Sequence, residues 1–391
     1  MKNEFQYMRK IGFIPLRKGS KGIVGKNKRK MVGRPLYTWV LGEALHSDLD
    51  LVYIYTDDQS IIDFIAKEYH YTNKIKAVLR SDASATDTAS TESAMLEFAT
   101  QIDYDFDVFC LLQATSPFTT ALDINNCLDT VANGKDSALT VVNTHRFLWH
   151  ANGTPINYDY NNRPRRQDFE GLLIENGAVY TCTKQVLQNN KNRLGQNIGI
   201  VKMPEDSLQE IDSESDWIVV ENLLIERQKQ LKKAEKITHL VLDVDGVFTD
   251  GTITYTKDGE HTKSFDMRDG MGLEILRQFG VEVMIMTSEQ SELVAKRMEK
   301  LQIKQVFLGV KDKYTLLKTL SIQQNFSLNN VAYIGDDVND MANICSVGWS
   351  FAPQNAMTEI KTNADVVLSK PSGAGAIREA CYFIKNYNKR Y

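Results

Sequence analysis

Two aspartates, Asp243 and Asp245, stand at the end of the apolar run that starts at Val241, and Gly246 follows them. On an extended strand, residues i and i+2 share one side. At the carboxyl end of a parallel strand they would face the crevice where open α/β sheets bind ligands. That placement suits phosphoryl transfer, with one carboxylate attacking phosphorus and the other handling the leaving-group proton. An isolated Asp-x-Asp is more often a turn, a cap or a surface feature. Here three further polar groups follow in order, each just past a strand-like run. Thr287 and Ser288 end Val281–Met286, Lys313 follows Phe307–Val310, and Val331–Ile334 runs into Gly335, Asp336, Asp337, Val338, Asn339 and Asp340. Alone, Lys313 reads equally well as a solvated surface lysine, and its place in the series argues for a site. A helix starting at Asp336 would put Asp340 on the same face.

A second chemistry is written near the start. Ile11–Pro15 reads as a short buried strand and runs into Arg17, Lys18, Gly19, Ser20, Lys21, Gly22, Gly25, Lys26 and Asn27. Glycines let backbone N–H groups approach an anion, and Arg17, Lys21 and Lys26 add charge for a triphosphate. The spacing is not that of a Walker loop. The basic run Lys26–Lys30 has an alternative reading as a nuclear-import patch, but Asn27 and its neighbours fit the loop better.

The elements that must carry these residues alternate. Apolar runs at Leu51–Tyr55, Val108–Leu112 and Ser137–Val142 predict strands. The spacing at Pro35–Ser47, Ile61–Tyr69, Asp123–Asn133 and Asp216–Lys233 predicts helices. The expected fold class is α/β, in two domains, each a mostly parallel sheet with helices on both faces. The domains are placed at 1–228 and 237–391, with the charge-rich stretch 229–236 as linker.

With 391 residues, two domains are expected. A net charge of −4 gives no nucleic-acid footprint, and no apolar run reaches the roughly 20 residues that span a bilayer. The polar N-terminus does not resemble a signal peptide. Five scattered cysteines without Cys-x-x-Cys fit reduced thiols in a cytoplasm.

Residues 11–228 resemble the N-acylneuraminate cytidylyltransferases, which make CMP-sialic acid from CTP. The resemblance is carried by Ile14-Pro15-x-Arg17-x-Gly19-Ser20-Lys21-Gly22 with Lys26-Asn27, by Tyr55-Thr56-Asp57-Asp58, and by Thr86-Asp87-Thr88-Ala89-Ser90. Leu112-Gln113-x-Thr115-Ser116-Pro117, Arg165-Arg166-Gln167-Asp168 and Glu175-Asn176-Gly177-Ala178 complete it. Ala114 departs from a proline usual in the family. The resemblance implies that Arg17, Lys21 and Lys26 bind the CTP phosphates, that Asn27 reads the cytosine edge, and that Gln113 positions the sugar. Arg166 and Gln167 would contact the acylated sugar acid. Glu210 and Asp212 would hold Mg²⁺, although the family pair is usually two aspartates. A solvated turn after Pro164 is the alternative for the arginines, and a surface charge is the alternative for Glu210.

Residues 237–390 resemble the haloacid dehalogenase phosphatases. The resemblance implies Asp243 as nucleophile and Asp245 as general acid/base. Asp243, the Asp245 carbonyl and Asp336 would hold Mg²⁺, while Thr287 and Lys313 would hold the phosphoryl oxygens. Within that superfamily, Phe248-Thr249-Asp250-Gly251, Lys263-Ser264-Phe265, Arg268-Asp269-Gly270-Met271-Gly272 and Gly373-x-Gly375-Ala376-x-Arg378-Glu379 resemble the small phosphatases of eight- and nine-carbon sugar acids. These have little cap domain and usually form tetramers. Arg268 is a candidate substrate contact. Glu289 matches the nine-carbon type, where the eight-carbon (KDO) type has arginine, and Arg297 and Lys300 follow it at helical spacing.

The combined expectation is a bifunctional, Mg²⁺-dependent cytoplasmic homotetramer joined through its second domain. It would dephosphorylate the 9-phosphate of a sialic-type sugar acid and transfer CMP from CTP to the free acid. The rivals are a second domain that is mainly a tetramerising scaffold, and a KDO or legionaminate-type substrate. The base in CMP transfer stays open between metal-bound and phosphate-directed deprotonation.

Overall fold

The computed structural model describes residues 7–19, 22–86, 88–257 and 259–391. The chain forms two compact units. The first comprises the described residues up to Arg29 together with Pro35–Val220, and the second comprises Lys30–Arg34 and Glu221–Tyr391. The boundary differs from the expected one in two ways. The helix Glu214–Leu231 carries the chain across it, so no free linker occupies 229–236. Lys232 instead pairs with Asp365 at 2.6 Å, and the Lys233 N–H donates to Asn329. The short stretch 30–34 also packs with the second unit despite its early place in the chain.

The first unit is built on a seven-stranded sheet. Its spatial order is Ile75–Leu79, Leu51–Thr56, Lys10–Leu16, Val108–Leu112, Leu172–Thr183, Ser137–Thr144, Ile198–Met203. Leu172–Thr183 runs antiparallel to both its neighbours and the remaining pairs are parallel. Strand Lys10–Leu16 is buried along nearly its whole length, as a parallel strand covered on both faces must be. Its ladder with Val108–Leu112 ends at Phe13, two residues before Pro15, which has no N–H to contribute. On its other side the strand stays paired with Leu51–Thr56 as far as Leu16, and there the chain leaves the sheet for the glycine-and-cation loop. One face of the sheet packs Ile14, Val40, Leu41 and Ile54; the other packs Phe13, Tyr55, Phe98 and Phe109.

The second unit holds a six-stranded, all-parallel sheet. Its order is Gln305–Phe307, Glu282–Met286, His239–Leu242, Val331–Ile334, Trp349–Ala352, Val366–Val367. A small antiparallel hairpin, Thr254–Thr256 with Gly259–Thr262, follows the first strand. Among the described residues, no helix is long and apolar enough to cross a membrane.

Candidate active sites

In the second unit, three adjacent strands end together. Asp243 follows Leu242, Thr287 follows Met286, and Asp336 lies two residues past Ile334. Backbone bonds line up these ends: the Asp243 N–H donates to the Ile334 carbonyl, and the Thr287 N–H to that of Phe307. Asp243 and Asp245 do not lie on a strand side by side, as the i, i+2 argument expected. The strand stops at Leu242, and the next residues form a turn in which the Val244 carbonyl accepts from the N–H groups of Val247, Phe248 and Thr249. The two carboxylates therefore meet different partners.

Asp243 is buried beside Lys313, whose Nζ stands 2.6 Å from its Oδ2 and 2.7 Å from Asp340 Oδ1. The Val244 N–H donates to Asp243 Oδ1, and the Tyr333 hydroxyl donates to Asp340 Oδ1. Lys313 opens the helix Lys313–Gln323, and its side chain is wholly enclosed, so the solvated-lysine alternative does not hold. Asp340 is fully buried, as a supporting residue should be, but by a different route from the one expected. A single 3₁₀ turn, Val338–Asp340, bends the chain back, and Asp340 Oδ2 accepts from the Asp336 N–H at 3.2 Å. Asp245 receives an ammonium at 2.6 Å from Lys263, which also pairs with Glu260. The hairpin is thereby tied to the second carboxylate.

Asp243, Asp336 and Asp340 each present an oxygen within 4.8 Å of the others. Asp336 Oδ1 is buried and has no hydrogen-bond partner. Burial, then the charges of Asp340 and Asp243, push the Asp336 carboxyl up to about 8. Burial and Asp340 raise Asp243 as well, against the pull of Lys313. Such a set, all hard oxygens with one orphaned, suits a divalent cation of the Mg²⁺ type. Gly246 makes the approach possible. A Cβ there would lie 1.9 Å from Asp336 Oδ2, and its φ of +80° lies in the left-handed region.

Glu289, Arg297 and Lys300 do not share a helix. The helix starts at Glu292 with Ser291 as its cap, because the Ser291 hydroxyl accepts from the Val294 N–H. Glu289 lies in the preceding bend and pairs with Lys311 at 3.4 Å. Arg297 lies over the Phe265 ring, and Lys300 is exposed. Arg268 is exposed and pairs with Asp266.

In the first unit, a cavity of about 420 Å³ is lined by Pro15, Arg17, Gly22, Lys26, Asn27, Gln113 and Asp212, among others. Lys21 lies outside the described residues. Lys26 Nζ donates to the Ile211 carbonyl and stands 3.4 Å from Asp212. The Asn27 amide donates to the Arg17 carbonyl. Gly22 passes so close to the acidic segment that a Cβ would lie 2.1 Å from the Asp212 carbonyl oxygen. Glu210 and Asp212 are exposed on either side of buried Ile211, as i, i+2 spacing requires, but only Asp212 lines the cavity. Arg166 and Gln167 line a second cavity of about 550 Å³ with His145 and Glu205. Arg80, which the sequence reading passed over, lies in the wall of the first cavity, buried and bonded to Ser84. Its one local signal is that it directly follows the strand Ile75–Leu79.

A cytidylyltransferase family model matches residues 11–244, and a haloacid dehalogenase-like hydrolase model matches residues 140–379. The N-acylneuraminate cytidylyltransferase of Oncorhynchus mykiss is 31% identical over 382 residues, covering 94% of this chain and 86% of its own. A Danio rerio relative, N-acylneuraminate cytidylyltransferase B, is 29% identical over 393 residues, 97% of this chain and 91% of its own. The 3-deoxy-D-manno-octulosonate 8-phosphate phosphatase of Haemophilus influenzae is 38% identical over 148 residues, 38% of this chain and 82% of its own. The chain belongs to the N-acylneuraminate cytidylyltransferase family, with a cytidylyltransferase domain followed by a haloacid dehalogenase-like hydrolase domain.

Proposed function

We propose that the two domains catalyse consecutive steps on one sugar acid. The second removes the 9-phosphate of a nine-carbon, sialic-type acid, and the first couples the freed acid to CMP. The observation that carries the phosphatase half is the enclosed Lys313 between Asp243 and Asp340, next to the unsatisfied Asp336 oxygen. An Asp243 oxygen attacks phosphorus in line, giving an aspartyl phosphate, and the sugar oxygen leaves with a proton from Asp245. Asp245 then takes a proton from the water that attacks the acyl phosphate, releasing phosphate and restoring Asp243. Lys313 and Thr287 hold the phosphoryl oxygens as charge develops. Asp243, the Asp245 carbonyl and Asp336 would hold Mg²⁺, which would neutralise phosphoryl charge when bound.

In the first domain the anomeric hydroxyl attacks the α-phosphorus of CTP and pyrophosphate leaves. Arg17, Lys21 and Lys26 hold the phosphates, Asn27 reads the base, and Gln113, Arg166 and Gln167 position the sugar acid. Glu210 and Asp212 would hold a second Mg²⁺, with Asp212 the member of the pair that lines the cavity. Positioning and charge balance supply the acceleration. We assign the protein to the cytoplasm, as a homotetramer through the second domain. The segment between Asp250 and Ser291 supports that assembly, because among the described residues a short hairpin, one helix and the sheet strand Glu282–Met286 take it up and leave no cap domain.

The test is phosphate release from the 9-phosphate of a nine-carbon acid and from the 8-phosphate of an eight-carbon acid, with Mg²⁺, by the parent chain and by Asp243→Asn. Glu289 supports preference for the first substrate. Preference for the second would replace it with the activity named in the Haemophilus relative. No release from either, and no effect of Asp243→Asn, would leave the second domain as a scaffold.

A further inference from the structure

The chain is assigned to the first unit up to Arg29, contributes residues 30–34 to the second, and is assigned to the first again from Pro35. Those five residues and Pro35 form a tight hairpin, Lys30–Met31 with Arg34–Pro35, turned by Val32 and Gly33. Both turn residues have positive φ, +50° and +82°, as a two-residue hairpin of the primed type requires. A β-branched residue rarely adopts that conformation, and Val32 is buried while doing so. Strain of this kind persists only where the surroundings over-determine it.

The surroundings are the two loops that carry the phosphatase chemistry. Arg34, 2% exposed, donates from Nη2 to Asp312 Oδ2 at 2.7 Å and to the Thr315 hydroxyl, and its guanidinium lies over the Tyr314 ring. Asp312 is the cap of the helix that begins at Lys313, because its Oδ1 accepts from the Thr315 N–H. Gly33 presses on the other loop. A Cβ there would lie 1.8 Å from the Val338 carbonyl oxygen, midway between Asp336 and Asp340. The Val32 N–H donates to Glu221 at 2.7 Å and anchors the turn.

We propose that this hairpin is a working part of the phosphatase, with Arg34 a positioning residue for Lys313. The guanidinium fixes the carboxylate that fixes the first helical turn, and that turn sets where the Lys313 ammonium stands between Asp243 and Asp340. A planar guanidinium suits the task, because it lies over the Tyr314 ring while Nη2 holds Asp312 and Thr315 at once. The proposal rests on the phosphatase reading above.

The test uses the full chain with p-nitrophenyl phosphate and Mg²⁺, comparing the parent with Arg34→Ala, Arg34→Lys and Thr315→Val. Turnover is expressed per folded molecule, from the melting curve, and CMP transfer is followed in parallel. Misplacing a catalytic group by about 1 Å can cost on the order of 100-fold. Arg34→Ala should therefore lose about 10- to 100-fold in kcat with KM within about twofold, and Arg34→Lys should restore only part of the loss. Thr315→Val should move kcat in the same sense by less, and it carries the test if Arg34→Ala fails to fold. A kcat within about twofold of the parent in every folded variant overturns the proposal. If the parent releases neither nitrophenol nor phosphate from the two sugar-acid phosphates, the phosphatase reading fails instead. Beryllofluoride binding at Asp243, followed by fluorine NMR, then decides the positioning claim: weaker binding in Arg34→Lys supports it, and equal binding sinks it.

Discussion

Gly246 and Asp336 approach so closely that any side chain at position 246 would occupy the place of a carboxylate oxygen. An added Cβ would lie 1.9 Å from Asp336 Oδ2. The glycine follows the two aspartates of the first strand end, and Asp336 lies past the end of a neighbouring strand. One backbone position thus decides whether the acidic cluster can close. Gly246→Ala should abolish phosphate release, by about 100-fold or more, because the oxygen-ligand set cannot assemble. CMP transfer should stay within about twofold of the parent. Parallel assays of phosphate and pyrophosphate release check this, and intact phosphatase turnover would contradict the assigned cluster.

Lys313 is buried between two carboxylates, and both keep it charged. Removing it leaves Asp243 and Asp340 buried without their cation. Breaking a buried pair in this way costs about 3–5 kcal/mol. Lys313→Met should lower the urea midpoint of the second unit and eliminate turnover. The combination matters, since lost turnover with unchanged stability would mean that the lysine is not enclosed as described.

The pH dependence follows from Asp336. Its carboxyl is raised to about 8, well above an ordinary carboxylate, chiefly by burial and then by Asp340 and Asp243. The folded state therefore binds a proton that the unfolded chain has already lost. Without metal, stability should fall as pH rises from about 4 through about 8. Mg²⁺ favours the ionised carboxylates and should cancel the decline. Melting curves in a chelator at pH 5.5 and 8.5, then with Mg²⁺, measure this. A metal-free protein more stable at the higher pH would show that Asp336 is not held as described.

Arg80 is expected to serve CTP. It is buried in the wall of the first unit's cavity, with its guanidinium donating to the Ser84 hydroxyl and carbonyl. Arg80→Lys should raise KM for CTP by about tenfold, since a lysine cannot reproduce the planar pair of bonds to the Ser84 hydroxyl and carbonyl. KM for the sugar acid should change little. Steady-state kinetics with each substrate varied separately would show it, and an unchanged KM for CTP would count against the assignment.

Much of the candidate phosphatase cluster was legible because parallel sheets place polar groups at strand ends. An apolar run followed by a polar residue marks such an end, and Asp243, Thr287 and Asp336 are all of this kind. The loop after Pro15 was legible for a similar reason, since glycines and cations directly after a buried strand have few structural uses. What failed was local geometry inferred from ideal periodicity. Glu289 lies outside the helix that holds Arg297 and Lys300, because Ser291 caps the chain two residues later. Asp340 reaches Asp336 through a 3₁₀ turn rather than along a helix face.

The amino-acid sequence by itself determined which residue types stand where strands stop, and so the two chemistries of the chain, because alternation of apolar runs and polar ends is a local property. Only the tertiary structure decided that Lys263 meets Asp245, that Arg80 enters the first unit's cavity, and that Arg34 pairs with a carboxylate 278 positions away. Those pairings depend on burial, which strips water from a charge and compels it to find a partner wherever the fold brings one. Local periodicity carries no record of such a pair, whether its members stand 18 or 278 positions apart.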